Sequence, residues 1–258
     1  MEIDGLAVND GTTVPPATLA QSIRDLARAV DIELASGSFR DALDTMARFW
    51  RYSWCNAHTI LSQRPSATWV TGRRTWSALG RTVRDGERPI SILAPMSPRG
   101  FPFRLVEVFD VAQTDGRALA RLEQLQPGRT AAAAMLERAA THLGIAVTHC
   151  GTASLGRSLG GTIEVRRSLG ERDRAAVLAH ELAHELLHQH RGRRRPLAER
   201  ETEAEATSYV VLRALGVPST APTYIAWQRG DGATVLASLR RIQRAAKRIL
   251  DAAHRKGP

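Results

Sequence analysis

Apolar residues recur at helical spacing between Thr18 and Ala35 (Leu19, Ile23, Leu26, Ala27, Val30 and Leu34), which predicts an amphipathic helix. A second helix is expected from about Phe39 to Leu61, stopped by Pro65. The pattern then shortens. Ala67 to Thr71, Pro89 to Ala94 and Phe103 to Val111 are short alternating or apolar runs separated by Gly and Pro, so they predict strands of a small sheet. Trp76 to Leu79 is expected on a helical turn ahead of Gly80. From Gln113 to Thr130 the turn sequences TDG and QPG interrupt the pattern and mark the candidate domain boundary. Helical periodicity then dominates: Ala131 to Leu143, Glu171 to Gln189, Glu199 to Leu215 (ended by Gly216 and Pro218), Ala221 to Gln228, and Thr234 to Ala253. Ile145 to Thr148 and Thr162 to Val165 are candidate strands, and Arg191 to Pro196 is a basic loop. The expected fold is therefore α+β. A small mixed α/β domain spans residues 1–120 with its core at 39–116, a linker covers 121–130, and a mainly helical domain occupies 131–258.

Composition adds bounds. The 258 residues are 43% hydrophobic and 24% charged, ordinary values for a globular protein. No apolar run approaches the roughly 20 residues that cross a bilayer. The first residues, MEIDGLAVNDGTTVPP, lack a basic segment followed by an apolar one, so no secretory leader is expected. Two cysteines, Cys55 and Cys150, suffice neither for a disulfide framework nor for a thiolate metal cluster. A cytoplasmic location is expected. Net charge is +10, and its distribution is uneven. Acids outnumber bases up to Trp50, whereas Arg51, Arg64, Arg73, Arg74, Arg81, Arg84, Arg88, Arg99 and Arg104 are opposed only by Asp85 and Glu87. Positive charge gathered in one segment points to a binding face.

The segment LAHELAHELLH carries the most specific chemistry. His180, Glu181 and His184 form an HExxH pattern on a predicted helix. Residues four apart share a helix face, so both imidazoles can reach one Zn²⁺ at about 2.0–2.1 Å. Glu181, on the same turn, is placed as catalytic base toward a water that the metal has acidified. An open catalytic zinc site needs a third protein ligand. RETEAEATSYVVLRALG offers Glu201, Glu203 and Glu205. Its apolar stripe (Ala204, Ser208, Val211, Leu212, Leu215) extends back to Glu201 and Glu205 and leaves Glu203 off the face. Glu201 is therefore the expected third ligand, and Glu205 is expected to hydrogen-bond and orient a ligand imidazole. Glu203 is expected as a solvated charge, His188 as a hydrogen-bonding rather than metal-binding residue, and His190 as exposed.

At these residues the chain resembles the ImmA/IrrE-like metallopeptidases and the peptidase half of ArdC-type antirestriction proteins. Both carry HELAH-like helices followed by a helix with an E-x-E-A motif, here Glu201-Thr-Glu-Ala-Glu205. The resemblance covers roughly Ala131 onward. It implies a minimal gluzincin fold, with three or more helices against a small antiparallel sheet. Its edge strand, here about Gly161 to Arg166, would hold substrate backbone by strand addition.

The arginine-rich segment also holds Trp50, Trp54, Trp69 and Trp76, with Phe49 and Tyr52 beside them. Arginine neutralises phosphates while flat side chains stack unpaired bases, the combination that single-strand binders use. For any one tryptophan the competing expectation is burial in a small core. FWRYSWCNAHTILSQRPSATWVTGRRTWSALGRTVRDGERPISILAP followed by VFDVAQTDG resembles the N-terminal single-stranded-DNA-binding domain of ArdC-type proteins. The shared pattern is an aromatic-rich helix with Asn56, then W-x-LG-x-x-V-x-x-GE-x-x-I, here Trp76, Leu79, Gly80, Val83, Gly86, Glu87 and Ile90. Arg88 stands where that family often has Lys. On this resemblance Arg73, Arg74, Arg81, Arg84 and Trp69 are candidate DNA contacts, and the Gly-Glu turn is expected to be structural.

Together these readings predict a single-stranded-DNA-binding zinc metalloendopeptidase of antirestriction or mobile-element type, with one Zn²⁺ per chain and a protein substrate. Two alternatives stand beside it: a regulatory protease that cuts a DNA-bound repressor, and a non-enzymatic single-strand binder with a residual metal site. Glu181 argues against the last, because a purely structural site has no use for a base beside the metal.

Overall fold

The computed structural model describes residues 39–96, 103–118, 131–151, 153–189, 195–220 and 232–255. The expected helices at Thr18–Ala35 and Ala221–Gln228, the 121–130 linker, His190 and most of the basic loop lie outside them. The described chain is α+β and divides into two compact units, residues 55–118 and residues 39–54 with 131–255.

The helix expected across Phe39 to Leu61 is two helices, α1 (Phe39–Arg48) and α2 (Trp54–Gln63). A turn separates them because Phe49 and Trp50, adjacent in sequence, are both buried. A continuous helix would point neighbouring side chains about 100° apart. The break also moves the domain boundary. α1 buries Phe39, Ala42, Leu43, Met46 and Ala47 within the second unit, so among the described residues the first unit begins at Cys55.

In the first unit β1 (Val70–Thr71), α3 (Arg73–Ala78), β2 (Arg81–Val83), β3 (Ile90–Pro95), β4 (Phe103–Asp110) and β5 (Thr114–Gly116) follow in order. β4 is central in an antiparallel sheet ordered β1-β4-β3, with Ile92 opposite Val106. β2 and β5 form a separate antiparallel pair. The TDG sequence, one of the turn signals read at the candidate boundary, is a strand of this unit. Trp76, Val83 and Phe109 make the core, with Trp69, Leu79 and Val111 packed against it. The free edge of β3 is closed by side chains of α2. Asn56 donates to the Leu93 carbonyl at 2.7 Å and accepts from its amide at 3.0 Å, and Gln63 does the same at Ser91, at 2.9 Å each way. Two amides seven residues apart on a helix thus stand in for a further strand and leave no open edge there. The Gly-Glu turn is structural: Gly86 has φ +79°, and Glu87 accepts from Gln113 at 3.1 Å.

The second unit adds α4 (Ala132–His142), β6 (Ala146–Cys150), β7 (Gly156–Ser158), β8 (Thr162–Arg166), α5 (Glu171–His188), α6 (Leu197–Ala214) and α7 (Gly232–His254) to α1. Its sheet is ordered β6-β8-β7 and is mixed, with β6 parallel to β8 and β7 antiparallel to it. The small antiparallel sheet expected here thus has one antiparallel and one parallel pairing, and the edge expected at residues 161–166 is corrected. β8 is the middle strand, because a tight turn at Gly160 (φ +79°) and Gly161 (φ +94°) folds β7 back along its other side. α6 packs against α1, α5 and α7 and is buried around most of its circumference from Glu203 to Leu212.

Candidate metal centre

α5 buries Ala175, Leu178, Ala179, Leu182 and Ala183, the spacing of a helix face turned to a core. His180, Glu181 and His184 lie beside this stripe, half-buried. The two imidazole Nε2 atoms are 3.0 Å apart. Glu201 Oε2, from the first turns of α6, is 3.5 Å from each. Ligand bonds of about 2.0–2.2 Å in a tetrahedron place donor atoms about 3.3–3.5 Å apart. A triangle with edges of 3.0, 3.5 and 3.5 Å is close to three corners of that figure, with the fourth free. Among the described residues these are the three whose donor atoms lie within 4.8 Å of one another. Side-chain exposure rises from 14% at His184 to 27% at His180 and 45% at Glu201, so the open corner faces solvent. Burial first, and then the neighbouring His180, hold His184 well below the ordinary histidine range. It is neutral near pH 7, as a ligand must be.

Glu181 lies beside β7. Burial, and next the Glu201 carboxylate, push its carboxyl up to about 7, while a hydrogen bond from the Ser158 amide pulls the other way. The strand approaches the helix closely because residue 156 is glycine. A Cβ there would lie 2.3 Å from Val177 Cγ1, 3.1 Å from Glu181 Cγ and 3.2 Å from Glu181 Oε1. One turn on, Glu185 holds the same hairpin. Its carboxylate accepts from Ser158 Oγ at 2.7 Å and from the amides of Gly160 and Gly161 at 2.9 and 2.7 Å. Gly156, Ser158 and Glu185 were not candidates from the sequence. Their one signal was a glycine-rich turn ahead of an HExxH helix.

Two expectations on α6 are corrected. Glu205 is exposed, and among the described residues it meets no imidazole. Glu203, expected in solvent, is 1% exposed. Its Oε1 accepts from Ser238 Oγ at 2.8 Å and from Arg241 Nε at 3.0 Å, both on α7, and Arg241 Nη2 adds a further short contact. Its Oε2 lies 4.0 Å from Nε2 of His188, whose ring packs against His184 with centroids 5.3 Å apart. The physical reason is the environment of α6. A helix with neighbours on several sides has no single polar face, so extending one apolar stripe selected the wrong glutamate for burial.

No protein-family model and no curated protein matches the chain. Solved structures give a likeness. The Mn(II)-bound antirestriction ArdC protein from plasmid R388 is 18% identical with a TM-score of 0.44, over 80% of this chain and 90% of that one. The metal-free structure of the same protein is 19% identical with a TM-score of 0.42, over 78% and 82%. At that distance the reading of function falls to the site itself.

In the first unit the candidate DNA contacts divide. Arg73 and Arg74 are exposed on α3, with the Arg73 guanidinium 4.7 Å from the Phe109 ring centroid. Arg81 is committed to the fold: Nε donates to Thr114 Oγ1 at 2.7 Å, and Nη atoms donate to the carbonyls of Thr114 and Arg117 at 2.6 Å each. Arg84 is engaged with Glu87, with Asp115 at 3.3 Å and with the Ala112 carbonyl at 2.5 Å. Trp76 is fully buried and donates from Nε1 to the Phe109 carbonyl at 2.9 Å. Trp69 is half-buried and tilts against it at 5.8 Å between centroids. These two rings are core and core margin, not a stacking platform. Trp50 and Trp54 are buried as well. No helix among the described residues is long and apolar enough to cross a membrane.

Proposed function

We propose that the chain is a zinc-dependent endopeptidase of gluzincin type whose first unit binds single-stranded DNA. The observation that carries the peptidase reading is the donor triangle of His180, His184 and Glu201 with Glu181 beside it and one corner open. Two imidazoles and one carboxylate in tetrahedral spacing suit zinc better than the all-oxygen cations. Bound there, Zn²⁺ supplies a Lewis acid that acidifies water and polarises a carbonyl oxygen. Glu181 supplies the proton transfers. Burial raises its carboxyl above the usual carboxylate range in the metal-free site, and beside a bound cation it would take a proton from the attacking water and return it to the leaving amine.

β7 offers the substrate-holding edge. The Leu159 amide bonds the Thr162 carbonyl and the Arg166 amide the Leu155 carbonyl, so the intervening Gly156 and Ser158 turn their backbone groups away from β8. An extended peptide added along that edge would run beside Glu181, replacing the hydrogen bonds that the Ser158 amide donates to Glu181 and that Ser154 Oγ donates to the Gly156 carbonyl, the latter at 2.6 Å. For the first unit, the exposed Arg73 and Arg74 on α3 are the proposed phosphate contacts. The motif resemblance supports an antirestriction setting.

Purified chain is expected to hold one zinc per molecule and to cleave denatured casein. Glu181→Gln should keep the metal and lose cleavage, whereas His180→Ala should lose both. Undiminished casein cleavage by Glu181→Gln overturns the peptidase mechanism.

A further inference from the structure

The last helix of the second unit presents a charged face that the metal centre does not use. α7 buries Leu239, Ile242, Ala245, Ala246, Ile249, Leu250, Ala252 and Ala253, mostly at three- and four-residue intervals, which fixes its rotation. Arg241 is turned inward, onto Glu203. The opposite face carries Arg240, Arg244 and Arg248, all exposed, with Lys247 between them. Asp251 is the one acid in α7, and it pairs with Lys247 at 2.8 Å. The three arginines form no ion pair among the described residues; Arg244 Nε donates to the Arg240 carbonyl at 3.2 Å.

Cations at i, i+4 and i+8 stand one above another on a helix and repel. A surface selected for stability alone would alternate them with glutamate, as Lys247 and Asp251 do. At 1.5 Å rise per residue the guanidinium groups recur about every 6 Å along a line. A row of unneutralised cations at that interval is complementary to a polyanion whose charges also recur along a line. The exposed arginines of the first unit were the expected ones, yet Arg81 and Arg84 are spent on the fold. Those of α7 are not.

We propose that the Arg240–Arg244–Arg248 face of α7 binds the phosphodiester backbone of nucleic acid, so that the peptidase unit carries its own nucleic-acid contact. The proposal goes beyond the peptidase reading and needs neither the metal nor α3. Guanidinium groups and phosphates form charge-assisted hydrogen bonds that carry no sequence information, so binding should be non-specific and salt-dependent.

The test uses full-length protein and fluorescein-labelled oligothymidylate, with anisotropy read across a KCl series. The triple variant Arg240→Gln/Arg244→Gln/Arg248→Gln should flatten the slope of log K against log salt by about 2, since each single-strand phosphate contact contributes about 0.7. The same arithmetic predicts binding about 100-fold weaker at 0.1 M salt. The triple Lys variant should keep the slope, and zinc content should match wild type in both. Arg73→Gln/Arg74→Gln, measured alongside, reports on the first unit separately, so either surface can fail without the other. An unchanged slope in the triple Gln variant overturns the proposal. So does a variant that loses binding only to phosphatidylserine vesicles, which would make the occupant a membrane.

Discussion

Glu203 gives the sharpest test of how α6, which carries Glu201, is held. Its carboxylate is 1% exposed and depends on Ser238 and Arg241 for compensation, while the Arg241 side chain retains 19% exposure. The two single truncations should therefore differ. Arg241→Met leaves a buried carboxylate with one hydroxyl donor, a class of change that costs about 3–5 kcal/mol. Glu203→Gln leaves a guanidinium that can swing its head to water, and an amide that still accepts from Ser238, so its cost falls nearer about 1–2 kcal/mol. For a folding unit of this size each kcal/mol moves Tm by about 2–4 °C, which gives shifts of about 6–20 °C against about 2–8 °C. Glu203→Met/Arg241→Met should be more stable than Arg241→Met alone, because no uncompensated charge remains. Calorimetry in excess EDTA removes any stabilisation by bound metal. The reasoning fails if Glu203→Gln is as damaging as Arg241→Met, or if the double Met variant is no more stable than Arg241→Met.

Other consequences can be checked on the same protein. Glu201→Gln should weaken zinc binding at least tenfold in competition with a chromogenic chelator, while Glu205→Gln, exposed, should leave it unchanged; equal effects would reverse the assignment of the two glutamates. Gly156→Ala should keep zinc but lower casein cleavage by about two orders of magnitude, because its methyl group would displace β7 from Glu181, and cleavage at the wild-type rate would remove β7 from the site. Leu43→Ala, at a fully buried side chain of α1, should destabilise the second unit by about 3 kcal/mol; a calorimetric shift confined to the other unit would return α1 to the first.

What could be read from the sequence was set by range. HExxH needs only one helix, and four-residue spacing places both imidazoles whatever surrounds them. The long helices α4 to α7 were legible for the same reason, their boundaries falling within three residues of expectation. β2, β5 and β7 have three residues each, too few to establish an alternation. Their existence depends on partners tens of residues away. The arginine–tryptophan interleaving misled for a related reason. Trp76 satisfies its indole N–H on the Phe109 carbonyl, and Arg81 its donors on Thr114 and Arg117, and both partners lie over 30 residues downstream.

The same distinction separates the parts of the centre by the kind of control they exert. His180, His184 and Glu181 would bring their chemistry to any exposed helix, yet an HExxH helix alone presents only two metal donors. The third arrives from α6, and α6 has a fixed rotation because Glu203, two positions beyond Glu201, is anchored to Ser238 and Arg241 of α7. Two residues span about 200° of helix, so Glu201 points to the two imidazoles while Glu203 is drawn to the opposite neighbour. The E-x-E spacing thus makes sense as a proposed ligand and its counterweight. Lengthening it by one residue would align both carboxylates within about 60° of each other and leave α7 nothing to hold.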